Sequence, residues 1–490
     1  MAPIAPVLAP AAKVLGMWTT VRFFTVLLAL ILVSLPATAD SIRAGAWAQD
    51  ITPAKFPVSV NGGMSDRQAT TSHDRLHARC LVLDDGTTQL AFAIVDSCMM
   101  PRDLVEQAKR LAEQQTRIPA KNMLVAATHT HSAPTVAGVF QSEPDEGYVQ
   151  LLPQRIAEGI AKAHQNRVPA RVGWAVGQEP TQLFNRRWRM KPGTITADPF
   201  DRTTDQVKMN PGYQVDGLVE PAGPTDPDVS VLAVQTRDGK PLALLANYSL
   251  HYVGGNPALS ADYFGAFAER ITELLGAGKV EPPFVGIMSN GTSGDVNNIN
   301  YAGPAPKSRQ PGEQIRIVAD RVARAAHEAY KTSRFSSELR LAATEKDIQL
   351  GVRKPTEADV ARARDILEKA KDKKALQGLR EIYARETVLL AKYPDEVPAR
   401  LQALRIGELG IAAIPCEVFT EIGLDIKKRS PLTPTFTIEL ANGYNGYLPT
   451  PAQHQLGGYE TWRARSSYLE VEASPKITTA VLGLLQQVAR

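Results

Sequence analysis

The pattern that most restricts the fold lies between residues 90 and 128, where the apolar run "LAFAIV", a helical stretch and the apolar run "NMLVAAT" follow one another. In the middle segment, "PRDLVEQAKRLAEQQ", Leu104, Val105, Ala108 and Leu111 share one helical face, and Pro101 is expected at the first helical position. Two short buried strands joined by such a helix form a βαβ unit, and a crossover of that length joins parallel strands. Antiparallel pairs are expected beside it. "LHARCLVLDDGTTQLAFAIVDSC" reads as a hairpin turning at Asp-Asp-Gly, and "VSVLAVQT" and "PLALLANYS" pair around "RDGK".

The rest of the chain continues in kind. Strands are expected at "SIRAGAWAQDITP", "ARVGWAVG", "PFVGIM", "LRIGELGIAAIP" and "TFTIELAN". Helices are expected at about 146–165, over "SADYFGAFAERITELLG", at 312–333 and over "PKITTAVLGLLQQVA". The charged segment 354–395 reads as a helical pair or one long helix appended to the core. The stretch 188–228 is rich in Pro, Gly and Asp with little periodicity, and a loop of that length is usually functional or disordered. The expected class is α/β: mixed sheets with flanking helices, a site at the C-terminal ends of strands, and a helical insertion near 354–395.

Composition narrows the function. Lys13 and Arg22 precede the uncharged run "FFTVLLALILVSL" at 23–35, and Ala37 and Ala39 in "PATAD" form a small-x-small pattern, which together read as a secretory signal peptide cut near Ala39. A start at Met17 gives a leader of more usual length. The run is too short to cross a hydrocarbon core of about 30 Å and no second one follows, so no transmembrane segment is expected. The expected product is residues 40–490, exported to the periplasm or outside the cell. The formal net charge is +4, without a basic stripe, which argues against nucleic acid or an anionic membrane as partner. Cys80, Cys98 and Cys416 show no CxxC spacing and allow at most one disulfide, so this is no disulfide-stapled framework. Nothing in the pattern specifies an oligomeric state.

Polar clusters recur at one kind of place. Asp96 follows "AFAIV", His129 and His131 follow "MLVAA", His251 follows "ALLANYSL", "SNGTSGD" follows "VGIM", and Glu417 follows "IAAIPC". In open α/β sheets ligands bind outside the carboxyl ends of strands, so these ends are expected to converge on one cleft. In an extended "THTH", His129 and His131 point the same way, and two histidines with a carboxylate make a common catalytic zinc shell. The chain has only eight histidines, and three of them stand at such ends. Plainer readings exist for each: a histidine satisfied by backbone, Asp96 as a helix cap or an outer support, Glu417 as a first-turn helix acid, and tyrosines packing in a Gly-rich loop.

"LVAATHTHSAP", "NRR", "SADYFG", "SNGTSGDVN", "PCEVFTEIG" and "ANGYNGYLPTPAQHQLGGYE" together resemble the catalytic domain of the neutral (non-lysosomal) ceramidases over roughly residues 43–485. The resemblance implies one zinc ion per chain held by His129, His251, Glu417 and Tyr447. It further implies His131, Arg186 and Tyr459 around the substrate amide, although Arg187 and Arg189 in "NRRWR" offer the same chemistry. Ser289 and Asp295 match the ends of a Ser-Asn-x-Gly-Asp-Val element into which this chain inserts two residues; a structural or substrate-contacting role is expected of them, and no base adjacent to Ser289 supports a nucleophile. Against the family pattern the chain is expected to lack the added C-terminal β-sandwich domain, and it has Pro-Cys-Glu for Pro-Gly-Glu and the extra segment 354–395.

The implied activity is hydrolysis of an N-acyl amide, ceramide-like or another N-acyl lipid, by metal-activated water, with His131 moving the proton and Arg186 and Tyr459 stabilising the oxyanion. An esterase or other acyl hydrolase on the same metal core is the near alternative. A non-catalytic lipid- or glycan-binding relative is the distant one, disfavoured because metal binding alone does not require His131, Arg186 and Tyr459.

Overall fold

The computed structural model describes residues 42–256, 258–307 and 309–490, so the expected leader and its cleavage at Ala39 lie outside the described residues. The largest sheet has eight strands, in the order Val285–Asn290, Pro241–Tyr248, Asp228–Thr236, Val168–Gln178, Arg43–Asp50, His77–Asp84, Gln89–Val95 and Met123–Ala127. The two outermost pairs, one at each edge, are parallel, and all pairs between them are antiparallel. The two halves meet through only two residue pairs, Arg43 with Pro169 and Ala44 with Val168. At this thin joint the sheet folds over, and Val285–Asn290 at one edge approaches Met123–Ala127 at the other.

Alternation along the strands explains the layering. Cys80, Val82, Ala91, Ala93, Met123 and Val125 face one way, onto Leu104, Val105 and Ala108 of helix Arg102–Thr116 and onto Leu152, Ile156 and Ile160 of helix Glu146–Gln165. Their neighbours Leu81, Leu83, Phe92, Ile94 and Leu124 face the other way and meet a second sheet through Leu404, Ile406, Ile411, Phe436 and Ile438. That sheet has the order Leu341–Gly351, Glu396–Ile406, Leu409–Ala413 and Thr435–Ile438. Its outer face is covered by Ile477, Val481 and Leu485 of helix Ala473–Ala489. Helices Asp262–Leu274 and Glu313–Thr332 cover the remaining half of the large sheet. The result is helices, two sheets face to face, and helices again, with strands buried on both faces, which is why they read as nearly continuous apolar runs. Each fully buried Leu, Ile or Phe between the sheets contributes about 1.5–3 kcal/mol.

The expected elements are present as mixed sheets with flanking helices, with three refinements. Pro101 stands just before helix Arg102–Thr116 with extended backbone, one position earlier than expected. The stretch 188–228 contains a three-stranded antiparallel sheet, Val207–Met209, Arg187–Met190 and Leu218–Pro221, whose strands are too short for a period to show. The segment 354–395 is a helical pair, Glu357–Lys369 and Gly378–Leu390, and its second helix is no loose appendage. Ile382 and Tyr383 are buried against Met99, Val139, Phe140 and Ala464, and Glu386 pairs with Arg465. All three cysteines are buried and free.

One ion-pair cluster predicts an acid limb of stability. Hydrogen bonds and charge from Arg400, and then Arg102, outweigh partial burial and lower the Asp347 pKa to about 2. A depressed carboxylate stabilises the fold above its unfolded pKa of about 4 and loses that contribution as pH falls through the folded value. Because Asp347 is about a third exposed, screening limits the effect to less than about 1 kcal/mol. Asp347→Asn is expected to lower the urea midpoint slightly at pH 6 and by much less at pH 2, as equilibrium unfolding at both pH values will show.

Candidate active site

Thr128 follows the strand Met123–Ala127, and His129 comes next in the left-handed backbone region at φ 73°. Such a conformation is strained for a residue with a Cβ, and it is held here by a hydrogen bond from the His129 N–H to the Ser97 carbonyl. His251 lies just beyond strand Pro241–Tyr248 near the opposite edge of the folded sheet. The fold-over closes the distance, leaving the two Nε2 atoms 3.0 Å apart. Glu417 Oε2 stands 3.3 Å from His129 Nε2. A two-residue parallel pairing sets Glu417 directly beside Tyr447, thirty positions on in the chain. The four residues expected to hold a metal therefore come from strand ends and loops of both sheets, and all four are buried.

The hydrogen bonds define what these atoms offer. His129 Nδ1 lies 2.7 Å from the Cys98 carbonyl and His251 Nδ1 lies 3.0 Å from the Ser293 carbonyl. A carbonyl only accepts, so each Nδ1 carries the proton and each neutral ring turns a bare Nε2 lone pair inward. Two lone pairs at 3.0 Å repel unless a cation or proton lies between them. Glu417 Oε1 accepts from Tyr444 Oη at 3.1 Å, while Oε2 is buried with no hydrogen-bond partner. Two imidazole nitrogens and an unpartnered carboxylate oxygen, mutually within 4.8 Å, are a zinc donor set, and the residues present fit that ion. Cys98, His129 and His131 also cluster, but His129 Nδ1 is committed to the Cys98 carbonyl and burial raises the Cys98 thiol pKa, which disfavours thiolate.

The electrostatics favour positive charge beside Glu417. Burial works against a proton on His129, yet the Glu417 carboxylate outweighs it and raises its pKa well above the usual imidazole value. His251 is pushed well below that value by burial, Arg186 and His129.

His131 lies beside the trio, its Nε2 3.4 Å from His129 Nε2, with its ring stacked on Tyr252 at a centroid distance of 3.7 Å. Burial, His129 and Arg186 push its pKa well below the usual value, so it is a neutral base. Gly62, at φ 102°, passes so close that a Cβ there would lie 2.3 Å from the His131 ring. Arg186 is buried, with its Nε on Glu460 and its Nη2 on both the Gly294 carbonyl and Tyr447 Oη at 3.0 Å. The alternatives in "NRRWR" have other duties. Arg187 is bound to Glu460, Gln453 and the Gly457 carbonyl, and Arg189 is substantially exposed beside Glu220. Tyr459 packs edge-on against Tyr447, and together with His129, His131 and Glu417 these tyrosines line a cleft whose apolar side is Met99, Val139 and Phe140.

The three outer candidates make no side-chain bond to the expected ligands, although the Asp295 carbonyl accepts from the Arg186 N–H at 2.9 Å. Asp96 neither caps the helix after Pro101 nor bonds to a metal candidate: it accepts from the His77 N–H and Arg79, and burial raises its pKa to about 6. Ser289 links neighbouring strands through the Ala246 carbonyl and Asn247. Asp295 accepts from Thr420 and from Asn185, the residue before Arg186, and burial raises it to about 6 as well. Sequence reasoning passed over Tyr444, Tyr252, Glu460, Gly62 and Glu439. Tyr252 follows His251 directly, and Tyr444 and Glu460 lie inside motifs already singled out, so proximity was the available signal for these three.

Comparison with known proteins places the chain and its fold. The family described as neutral/alkaline non-lysosomal ceramidase, N-terminal, matches residues 43–318. A crystal structure of neutral ceramidase from Pseudomonas aeruginosa superposes with a TM-score of 0.68 at 16% identity, covering 92% of this chain and 74% of that one. A ceramidase complexed with C2 gives 0.66 at 16% identity, covering 92% and 75%. A search among curated proteins finds no match.

Proposed function

Because this chain belongs to the neutral/alkaline non-lysosomal ceramidase family, we propose that it hydrolyses the amide bond of an N-acyl lipid, ceramide-like or of another head group, as an exported zinc-dependent amidohydrolase. The observation that carries the reading is the convergence of His129 Nε2, His251 Nε2 and the unpartnered Glu417 Oε2. These atoms would hold the ion, with Tyr447 beside Glu417 as the fourth ligand. Zinc so bound would supply Lewis-acid chemistry, polarising a carbonyl and lowering the pKa of water toward neutrality.

The chain's own groups do the rest. His131 is neutral and held flat against Tyr252, so its Nε2 can take a proton from the attacking water and return it to the departing amine. Arg186 keeps its charge under burial because Tyr447 and Glu460 favour it, and with the Tyr459 hydroxyl it offers fixed donors to oxygen developing negative charge. Burial of the trio excludes bulk water, which strengthens these interactions. Met99, Val139 and Phe140 give an apolar side to a cleft otherwise lined by polar groups, as an acyl chain joined to a polar amide requires. The domain that does this spans residues 40–490, with residues 1–39 proposed as the leader.

Tyr459→Phe removes one donor and leaves the ring packing. It is expected to lower kcat on an N-acyl amide by about 10²–10³-fold with KM little changed. A panel of N-acyl sphingosines, N-acyl amino acids and simple esters, assayed with and without chelator, tests the function itself. Chelator-sensitive cleavage of an amide supports it, cleavage of esters alone moves the chain to an esterase, and zinc bound without turnover on any class favours a binding protein.

A further inference from the structure

We infer that Glu439 is a positioning residue of the metal centre, a single buried carboxylate that fixes both the His251 side and the Glu417 side of the site. Glu439 follows strand Thr435–Ile438 and is fully buried. Its Oε1 accepts from the Ser293 hydroxyl at 2.5 Å, and its Oε2 accepts from the Ser293 N–H at 3.2 Å and the Val418 N–H at 2.7 Å. Ser293 in turn orients His251: its carbonyl accepts from Nδ1 at 3.0 Å. Val418 is the residue after Glu417. Both expected ligands are thus one residue or one hydrogen bond from groups that Glu439 holds.

Charge balance supports the same role. Arg186 and Arg187 share Glu460, and Asp295 feels the charge of Arg187. Two cations face two carboxylates there, which leaves Glu439 with no cation of its own, and burial raises its pKa to about 8. Buried charges persist only when paired, so a carboxylate with three donors and no cation of its own is suited to a site that gains one. Outer-shell partners of this kind set ligand orientation and typically govern about 10–100-fold in metal affinity.

The inference rests on the zinc reading above, and its test separates the two. Wild type, Glu439→Gln and Ser293→Ala are prepared as the full chain. Zinc affinity is measured by chelator competition, the Co²⁺-substituted forms by visible absorption, and the metal-free forms by thermal melting. Glu439→Gln keeps the shape and loses the charge, and is expected to weaken zinc by about 10–100-fold and to alter the Co²⁺ spectrum. A purely structural role would instead lower the metal-free melting temperature while zinc affinity stays within about twofold and the Co²⁺ spectrum is unchanged, and that result overturns the inference. If Glu439→Gln fails to fold, Ser293→Ala decides. It removes one donor and keeps the N–H, so zinc about three- to tenfold weaker supports the inference and zinc within about twofold overturns it. Wild type that takes up no zinc overturns the proposed function along with it, whereas wild type and both variants binding alike overturns the role of Glu439 alone.

Discussion

His129→Ala is expected to purify without zinc and to lose amidase activity by more than about a thousandfold, since a bound ion would take several kcal/mol off the barrier. The size follows from geometry. His129 Nε2 is the atom nearest to both other donors, 3.0 Å from His251 and 3.3 Å from Glu417, so its removal leaves too few ligands for a tetrahedral site. It also leaves the Glu417 carboxylate buried beside nothing that neutralises it, which costs folding stability unless it takes up a proton. Metal analysis and activity on the same preparation check both parts, and zinc retained at the wild-type level would remove His129 from the site. Acid is expected to release the ion by the same logic, because a proton and the metal compete for His129 and Glu417 holds that proton tightly.

His131→Ala gives the contrasting result. Its side chain stands next to the trio without belonging to it, so zinc is expected to stay at about one per chain while kcat falls by about 10²–10⁴-fold, the range for loss of a positioned acid or base. A second variant reaches the same atom without deleting it. Gly62→Ala puts a methyl group 2.3 Å from the His131 ring on backbone at φ 102°, and the imidazole must leave its stack on Tyr252. Loss of kcat with zinc retained is expected again. Zinc lost together with activity in His131→Ala would make the two THTH histidines equal ligands and contradict the assigned division of labour.

What could be read in the sequence depends on how local its cause is. His129, His131 and His251 were legible because a polar residue at the end of an apolar run is a short-range pattern, and the βαβ unit and hairpins rest on periodicity within ten or so residues. Glu417 stood out by the same strand-end pattern, whereas Tyr447 came only through resemblance, since a two-residue pairing across thirty positions leaves no periodic trace. The fold-over that brings opposite sheet edges together rests on two residue pairs near Arg43, and no local preference announces it. Asp96 shows the converse. Its placement after a strand matched the other candidates, but His77 and Arg79 absorb its side chain. Tyr444, Glu460 and Glu439 act through hydrogen bonds to partners far along the chain, which become visible only in three dimensions. The inner helix of the 354–395 insertion is similar, because it was its charged outer face that dominated the pattern.

The central claim is that His129, His251 and Glu417 hold a zinc ion on which amide hydrolysis depends, and metal content measured beside activity tests it most directly. Purified wild-type chain is expected to carry about one zinc, to lose cleavage of N-acyl amides when a chelator removes it, and to regain cleavage on adding zinc back. Wild-type chain that carries no zinc and takes none up when it is supplied would contradict the account.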